Sequence, residues 1–151
     1  MAKAFGMNVK IAARPGESSN NRGEVERTPI KELLGKVDFL TLHCPLNEET
    51  RDLFTYKELK TLKPGAMIIN CARGGIINEK DLAQVLSEGH LGGAAVDVLT
   101  QEPPSANQPL LDVDHPNFIM TPHIAWGNLE SRQLLVEKMA GHISTFLSSI
   151  L

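Results

Sequence analysis

Three side chains suited to handling an organic acid follow short apolar runs in this chain: Arg73 after residues 66–71, Glu102 after residues 93–98, and His123 after residues 117–121. A planar guanidinium grips a carboxylate through two parallel hydrogen bonds, which an ammonium does less well, and Arg73 meets that need. An imidazole changes charge near neutral pH, so His123 is equipped to take a hydroxyl proton and return it. A carboxylate bonded to an imidazole fixes its tautomer and raises its pKa, a part that fits Glu102. Together these are the protein groups that hydride transfer at a 2-hydroxy or 2-oxo acid requires, with a nicotinamide ring supplying or accepting the hydride. Taken singly, each has an ordinary structural reading as a surface ion-pair partner, a solvated loop acid or a structural histidine. Their joint placement after successive apolar runs is what favours chemistry.

The elements that must position them alternate in type. Short β-branched or apolar runs at residues 8–13, 38–43, 66–71, 93–98 and 117–121 read as strands, with longer segments of helical spacing between them. That alternation predicts βαβ units, hence an α/β fold with a parallel Rossmann-like sheet and helices on both faces, because the runs are too continuously apolar for a wet side. In such sheets ligands bind beyond the carboxyl ends of the strands, where all three side chains fall. Thr28 followed by Pro29 reads as an N-cap with proline at the first helical position, and Gly35 ends that helix. Thr55 with Glu58 fits a capping box, and Asn78 opens a further helix that Gly89 closes. Residues 128–151 place Leu135, Met139, Ile143, Phe146 and Ile150 on one face of a long amphipathic helix. Residues 14–27 read as an exposed loop, and the proline-rich residues 100–116 as mostly irregular.

Composition narrows the classes. With 151 residues the chain fits one domain, and its net charge of −3 gives no basic face for nucleic acid or an anionic membrane. No apolar run approaches the ~20 residues of a membrane span, and no secretory signal is evident at the N-terminus, so a cytoplasmic location is expected. Cys44 and Cys71 form no C-x-x-C pattern and read as buried, reduced thiols. His43, His90, His115 and His142 have no metal-ligand spacing, so no metal is expected.

Three motifs extend the reading. Asn70-Cys71-Ala72-Arg73-Gly74-Gly75, then Gly92-Gly93-Ala94-Ala95-Val96-Asp97-Val98 with Glu102-Pro103, then Thr121-Pro122-His123-Ile124-Ala125-Trp126 closely resemble the successive signatures of the D-2-hydroxyacid dehydrogenase family. The resemblance covers essentially the whole chain. It implies that Arg73 binds the substrate carboxylate and carbonyl, that His123 is the acid/base with Glu102 as its partner, and that Asp97 contacts the nicotinamide carboxamide. His43-Cys44-Pro45-Leu46 resembles the family's cofactor-side loop, and with Cys71 and Ala72 it implies contact with the dinucleotide. Glu102 differs from the glutamine of the related formate dehydrogenases. Trp126 is similar to the Ala-Trp ending of glycerate dehydrogenases and hydroxypyruvate reductases, which implies a substrate-pocket role and glycerate/hydroxypyruvate as the substrate pair. A packing role for Trp126 at a helix entry remains open beside it. A homodimer is the family's usual assembly.

Two features depart from the family's pattern. Where an acidic residue normally accepts the ribose 2′-hydroxyl, this chain has Ala13 followed by Arg14, so a 2′-phosphate would meet a cation and NADP is the preferred form of NAD(P). No G-x-G-x-x-G occurs, and residues 1–6 resemble the end of the helix that follows that loop. The expectation is therefore a partial dinucleotide-binding domain lacking the first strand and glycine-rich loop, with two strand edges unpaired, weak dinucleotide binding and poor turnover on its own. A non-catalytic binding module of the same fold and an inactive truncated product are the alternatives.

Overall fold

The computed structural model describes residues 1–14 and 26–150. Four short parallel strands form its main sheet in the order β3 (Phe39–Leu42), β4 (Met67–Asn70), β5 (Gly93–Val96) and β6 (Phe118–Met120). Beside it lies a two-stranded parallel sheet of β1 (Ile11–Ala12) and β2 (Arg27–Thr28). The parallel α/β architecture and all five expected strands are present. Among the described residues no strand joins β1 to β3, so the two sheets carry separate ladders and each has an open edge.

The helices are α1 (Ile30–Leu34), α2 (Tyr56–Thr61), α3 (Glu79–Ser87) and α4 (Leu129–Ile150), with 3-10 turns at Ala2–Phe5 and Pro109–Asp112. Thr55 and Glu58 form the expected capping box, the Glu58 carboxylate accepting the Thr55 N–H at 3.3 Å and its hydroxyl at 2.5 Å. The Asn78 side chain accepts the Asp81 N–H and starts α3. Gly89, at φ +66°, then turns the chain after α3 where a β-carbon would be strained.

Sequence and structure differ at α1. Thr28 is not its N-cap; it ends β2, pairing with Ala12, and Pro29 takes the cap position. The parallel ladder claims the Thr28 backbone before the helix begins. Arg27, expected in a loop, is likewise in β2, while residues 15–25 of that loop and Leu151 lie outside the described residues.

One face of the main sheet is dry. Leu42, Ile68, Ala94 and Val96 pack with Phe54, Leu59, Leu82, Val85 and Leu86 from the α2 and α3 layer into the core. The opposite face is wetter than its apolar sequence predicts: Phe39 is 56% exposed and Ile119 61%, and Thr41, on the same strand as Phe39, is exposed too. The long helix α4 forms over nearly the expected span, yet Leu135, Met139, Ile143, Phe146 and Ile150 on its apolar side are all exposed. Its amphipathic pattern is therefore real and unpartnered among the described residues. No described helix is long and apolar enough to cross a membrane.

The covered face holds the fold together. Leu82 is fully buried between α3 and the sheet, so Leu82→Ala is expected to cost about 2–5 kcal/mol in guanidinium denaturation, through lost burial and the cavity left behind.

Candidate functional site

Parallel register sets the site's position. Leu42, Asn70, Val96 and Met120 form one row across the sheet, so the next residues, His43, Cys71, Asp97 and Thr121, leave it at one edge. The candidate site residues from His43 to Trp126 lie on the turns that begin there.

The turn after β4 is shaped by Asn70. This residue is buried, its side-chain amide donates to the Arg73 carbonyl at 2.9 Å, and its Oδ1 accepts the Ala72 N–H at 3.0 Å. Sequence reasoning noted Asn70 only as part of a motif, although an amide ending a buried apolar run signals a polar group that must find partners. Arg73 projects into solvent and donates through Nη1 to the Ala72 carbonyl at 2.6 Å. Gly74 presses against the turn after β5: a β-carbon there would fall 2.0 Å from the Leu99 carbonyl and 2.4 Å from the Thr100 nitrogen. The turn bearing Arg73 and the segment leading to Glu102 are thus in direct backbone contact.

Glu102 and His123 meet directly. His123 Nδ1 donates to Glu102 Oε2 at 2.7 Å, and Glu102 Oε1 accepts the Leu99 N–H at 2.8 Å. The imidazole, then the Leu99 amide, hold the Glu102 carboxyl below the usual range. With the neutral ring's proton on Nδ1, Nε2 is the acceptor, and among the described residues it meets no partner. Both side chains are partly exposed, at 41% and 37%.

His123 sits at φ +54°, in the left-handed region that non-glycine residues seldom occupy and that costs on the order of 1–3 kcal/mol. Asp97 holds it there. Its Oδ1 accepts the Thr121 hydroxyl at 2.5 Å and the Ile124 N–H at 2.8 Å, and its Oδ2 accepts the Ala125 N–H at 2.9 Å. Burial pushes the Asp97 carboxyl up, but these three donors outweigh it and leave the group below its ordinary value. Asp97, expected at the cofactor, therefore has its oxygens engaged on both sides of His123. The sequence had no signal for this clamp, because its partners lie 24 to 28 residues away.

Two cavities open on this edge. One of about 730 Å³ is lined by His43, Cys44, Pro45, Cys71, Ala72 and Arg73, six of the residues expected on the cofactor side. It lies across the ends of β3 and β4, with Leu46 completing its lining. The other, about 360 Å³, is lined by Asp97, Glu102 and His123 with Pro103 and Met120. Trp126 lines neither: it is 55% exposed, and its indole N–H donates to the His123 carbonyl at 3.0 Å. Ala13 is buried just past β1, its N–H donating to the Thr28 carbonyl at 2.8 Å, and Arg14 after it is exposed. A second cation stands near them, since Arg27 Nη1 donates to the Ala12 carbonyl at 3.0 Å.

The thiols and the remaining histidines show neither a nucleophile nor a metal site among the described residues. Neither thiol is buried as expected: Cys44 is half-buried and Cys71 exposed, because both sit on turns leaving the sheet edge. Partial desolvation still pushes both thiols up, with Asp97 adding to the effect at Cys71, which disfavours the thiolate a nucleophile needs. His43 Nε2 lies 2.9 Å from the Thr41 hydroxyl, and His90 is bonded to the Leu62 carbonyl. Among the described residues no three His, Cys, Asp or Glu side chains gather as metal ligands would.

Comparison with known proteins decides the family. The profile for the D-isomer specific 2-hydroxyacid dehydrogenase NAD binding domain matches residues 1–125. The chain belongs to this family. It is 41% identical over 152 residues to a putative 2-hydroxyacid dehydrogenase of Haemophilus influenzae, covering 99% of this chain and 47% of that protein. It is 40% identical over 119 residues to a glycerate dehydrogenase of Methylorubrum extorquens, covering 79% of this chain and 38% of the relative. Among solved structures, an acyclic imino acid reductase in complex with NADPH and D-arginine superposes with a TM-score of 0.83 at 32% identity, covering 98% of this chain and 46% of that one. The chain spans less than half the length of these proteins.

The Asp97 clamp makes a signed prediction. A carboxyl whose folded pKa is depressed adds stability above its unfolded value, about 3.9, and that stability is lost as pH falls through the folded value. Asp97→Asn should therefore be less stable than the parent by about 2 kcal/mol at pH 6, where a charged acceptor is lost. The gap should close as both proteins are denatured at successively lower pH below about 4.

Proposed function

We propose that this chain forms the proton-transfer and cofactor-contacting part of an NAD(P)-dependent D-2-hydroxyacid dehydrogenase, with glycerate and hydroxypyruvate as its substrate pair. The observation that carries this reading is the Glu102–His123 contact at 2.7 Å, which leaves Nε2 as a free acceptor on the rim of a cavity. When bound, the nicotinamide accepts or supplies the hydride.

The chain's own groups do the rest. His123 Nε2 takes the hydroxyl proton as the alcohol is oxidised and returns it to the carbonyl oxygen on reduction. Glu102 stabilises the imidazolium that forms and keeps the proton of the neutral ring on Nδ1. Arg73, with Nη1 resting on the Ala72 carbonyl, has further N–H donors for the acid's carboxylate and carbonyl. Asp97 serves His123 first, and as a lining residue of the same cavity it would be the acceptor for the carboxamide of a bound nicotinamide. Trp126, outside both cavities, bears on the site through the bond of its indole N–H to the His123 carbonyl. The relative named glycerate dehydrogenase supports the choice of acid.

NADP is the preferred cofactor in this reading. Ala13 offers no carboxylate to repel a 2′-phosphate, while Arg14 and Arg27 put two guanidinium groups around the end of β1. The NADPH complex of the imino acid reductase is consistent with that choice. The assembly is a homodimer, and the full activity requires polypeptide corresponding to the other half of the relatives.

Steady-state reduction of hydroxypyruvate and glyoxylate, with and without that additional polypeptide, tests the assignment. His123→Ala is expected to lower kcat by about 10²–10⁴-fold, and Arg73→Lys to raise KM by roughly tenfold as the bidentate grip is lost; unchanged kinetics in His123→Ala would overturn the reading. NADPH is expected to give a higher kcat/KM than NADH, and a marked preference for NADH would count against the roles of Ala13 and Arg14. Isothermal titration of the isolated chain should show dinucleotide binding weaker than micromolar.

A further inference from the structure

A second carboxylate outside both cavities controls the segment that carries Glu102. Glu79 is the first residue of α3, yet its side chain does not cap that helix, a task Asn78 performs. Its Oε1 instead accepts the Thr100 N–H at 2.6 Å and the Thr100 hydroxyl at 2.9 Å. Its Oε2 accepts the side-chain amide of Gln108 at 2.6 Å. These partners lie 21 and 29 residues away and sit at the two ends of the segment that contains Glu102. Gln108 is buried, and its other amide atom accepts the Leu110 N–H at 3.0 Å, so the far end is fixed to the core through Leu110.

The near end is tighter still. Leu99 gives its N–H to Glu102 and Thr100 gives its N–H to Glu79, so consecutive amides serve the two carboxylates. Gly74 seals the other side of the same backbone, with no room for a β-carbon. Thr100 is held between the Gly74 backbone and the Glu79 carboxylate, and Leu99 is set by Thr100.

We infer that Glu79 is a positioning residue for the proton-transfer pair: by fastening both ends of residues 100–108 it aims the Leu99 amide at Glu102 and so holds Glu102 against His123. The inference rests on the reading of Glu102 and His123 as that pair, but the contact it explains can be measured without turnover. A charge-assisted hydrogen bond to each end also explains why the segment needs no regular structure to present Glu102 in one place. Neither Glu79 nor its partners touches substrate or cofactor in this scheme.

Nitrogen-15 NMR of the imidazole in the full chain provides the test, read above neutral pH where the tautomer is visible. The parent is expected to carry its proton on Nδ1, and Glu102→Gln defines the signal once the carboxylate is gone. Glu79→Ala should move the His123 nitrogen shifts at least half-way towards those of Glu102→Gln, while the shifts of His90, bonded far from the segment, stay put. The double variant Glu79→Gln with Gln108→Glu exchanges acceptor and donor across the clamp and should restore the parent signal. If Glu79→Ala does not fold, Glu79→Gln alone, which keeps one acceptor for Thr100 and loses the Gln108 bond, is compared in its place. Parent-like His123 shifts in a folded single variant, or no recovery in the double variant, would overturn the inference. A chain that shows the expected NMR pattern yet reduces no 2-oxo acid even when assayed with the additional polypeptide would refute the dehydrogenase reading and leave the clamp standing.

Discussion

Parallel register across four strands is the constraint on which the rest of the site depends. Because β3 to β6 run the same way and pair without slippage, their last residues form a single row, and the next residues emerge at one edge. Residues as distant in sequence as His43 and Thr121 are brought to the same edge of the sheet through backbone hydrogen bonds alone. An antiparallel arrangement would send alternate turns to the opposite edge. The chemistry can therefore be distributed over several turns, each short and separately fastened.

The turns after β4 and β6 are each fastened by a buried polar side chain at a strand end. Asn70 closes the turn after β4 upon itself, and Asp97 reaches from β5 to the turn after β6. Both sit where water is excluded, so leaving their acceptors or donors unmatched would be costly, and that cost enforces the geometry. At His123 the enforcement holds a left-handed backbone that an isolated histidine would leave. The imidazole is then delivered to Glu102 at hydrogen-bond distance while its other nitrogen stays available. Strain at one residue is offset by three bonds to one carboxylate.

The same structure shows where order stops. The face of the sheet that carries Phe39 and Ile119, and the apolar side of α4, are exposed together, and the two sheets expose parallel edges. The covered face and the site edge are complete without them: α2, α3 and the 3-10 turn at Pro109–Asp112 pack the core under β3 to β6 and anchor the segment bearing Glu102. Stability and site geometry thus draw on the same half of the molecule.

Much of this was legible in the residues. Strand runs at residues 66–71 and 93–98, the capping box at Thr55 and Glu58, and the cap at Asn78 rest on local patterns, which act between neighbours in the chain. The side chains Arg73, Glu102 and His123 were recognisable from type and motif. The pairing of Glu102 with His123 was expected from the motifs; the other partners were not, because contacts such as Asp97 with Ala125 or Glu79 with Gln108 span more than twenty residues and exist only once the strands align. Local preference also failed at Thr28, where pairing with Ala12 overrode a good helix cap, and at Phe39 and Ile119, whose apolarity could not say which face would be covered. By itself the sequence determined the kinds of element, their order and the chemical groups, since these depend on side-chain type and short-range spacing. The tertiary structure alone decided which groups touch, which nitrogen of His123 is free and which surfaces stay wet, since those depend on distances set by packing.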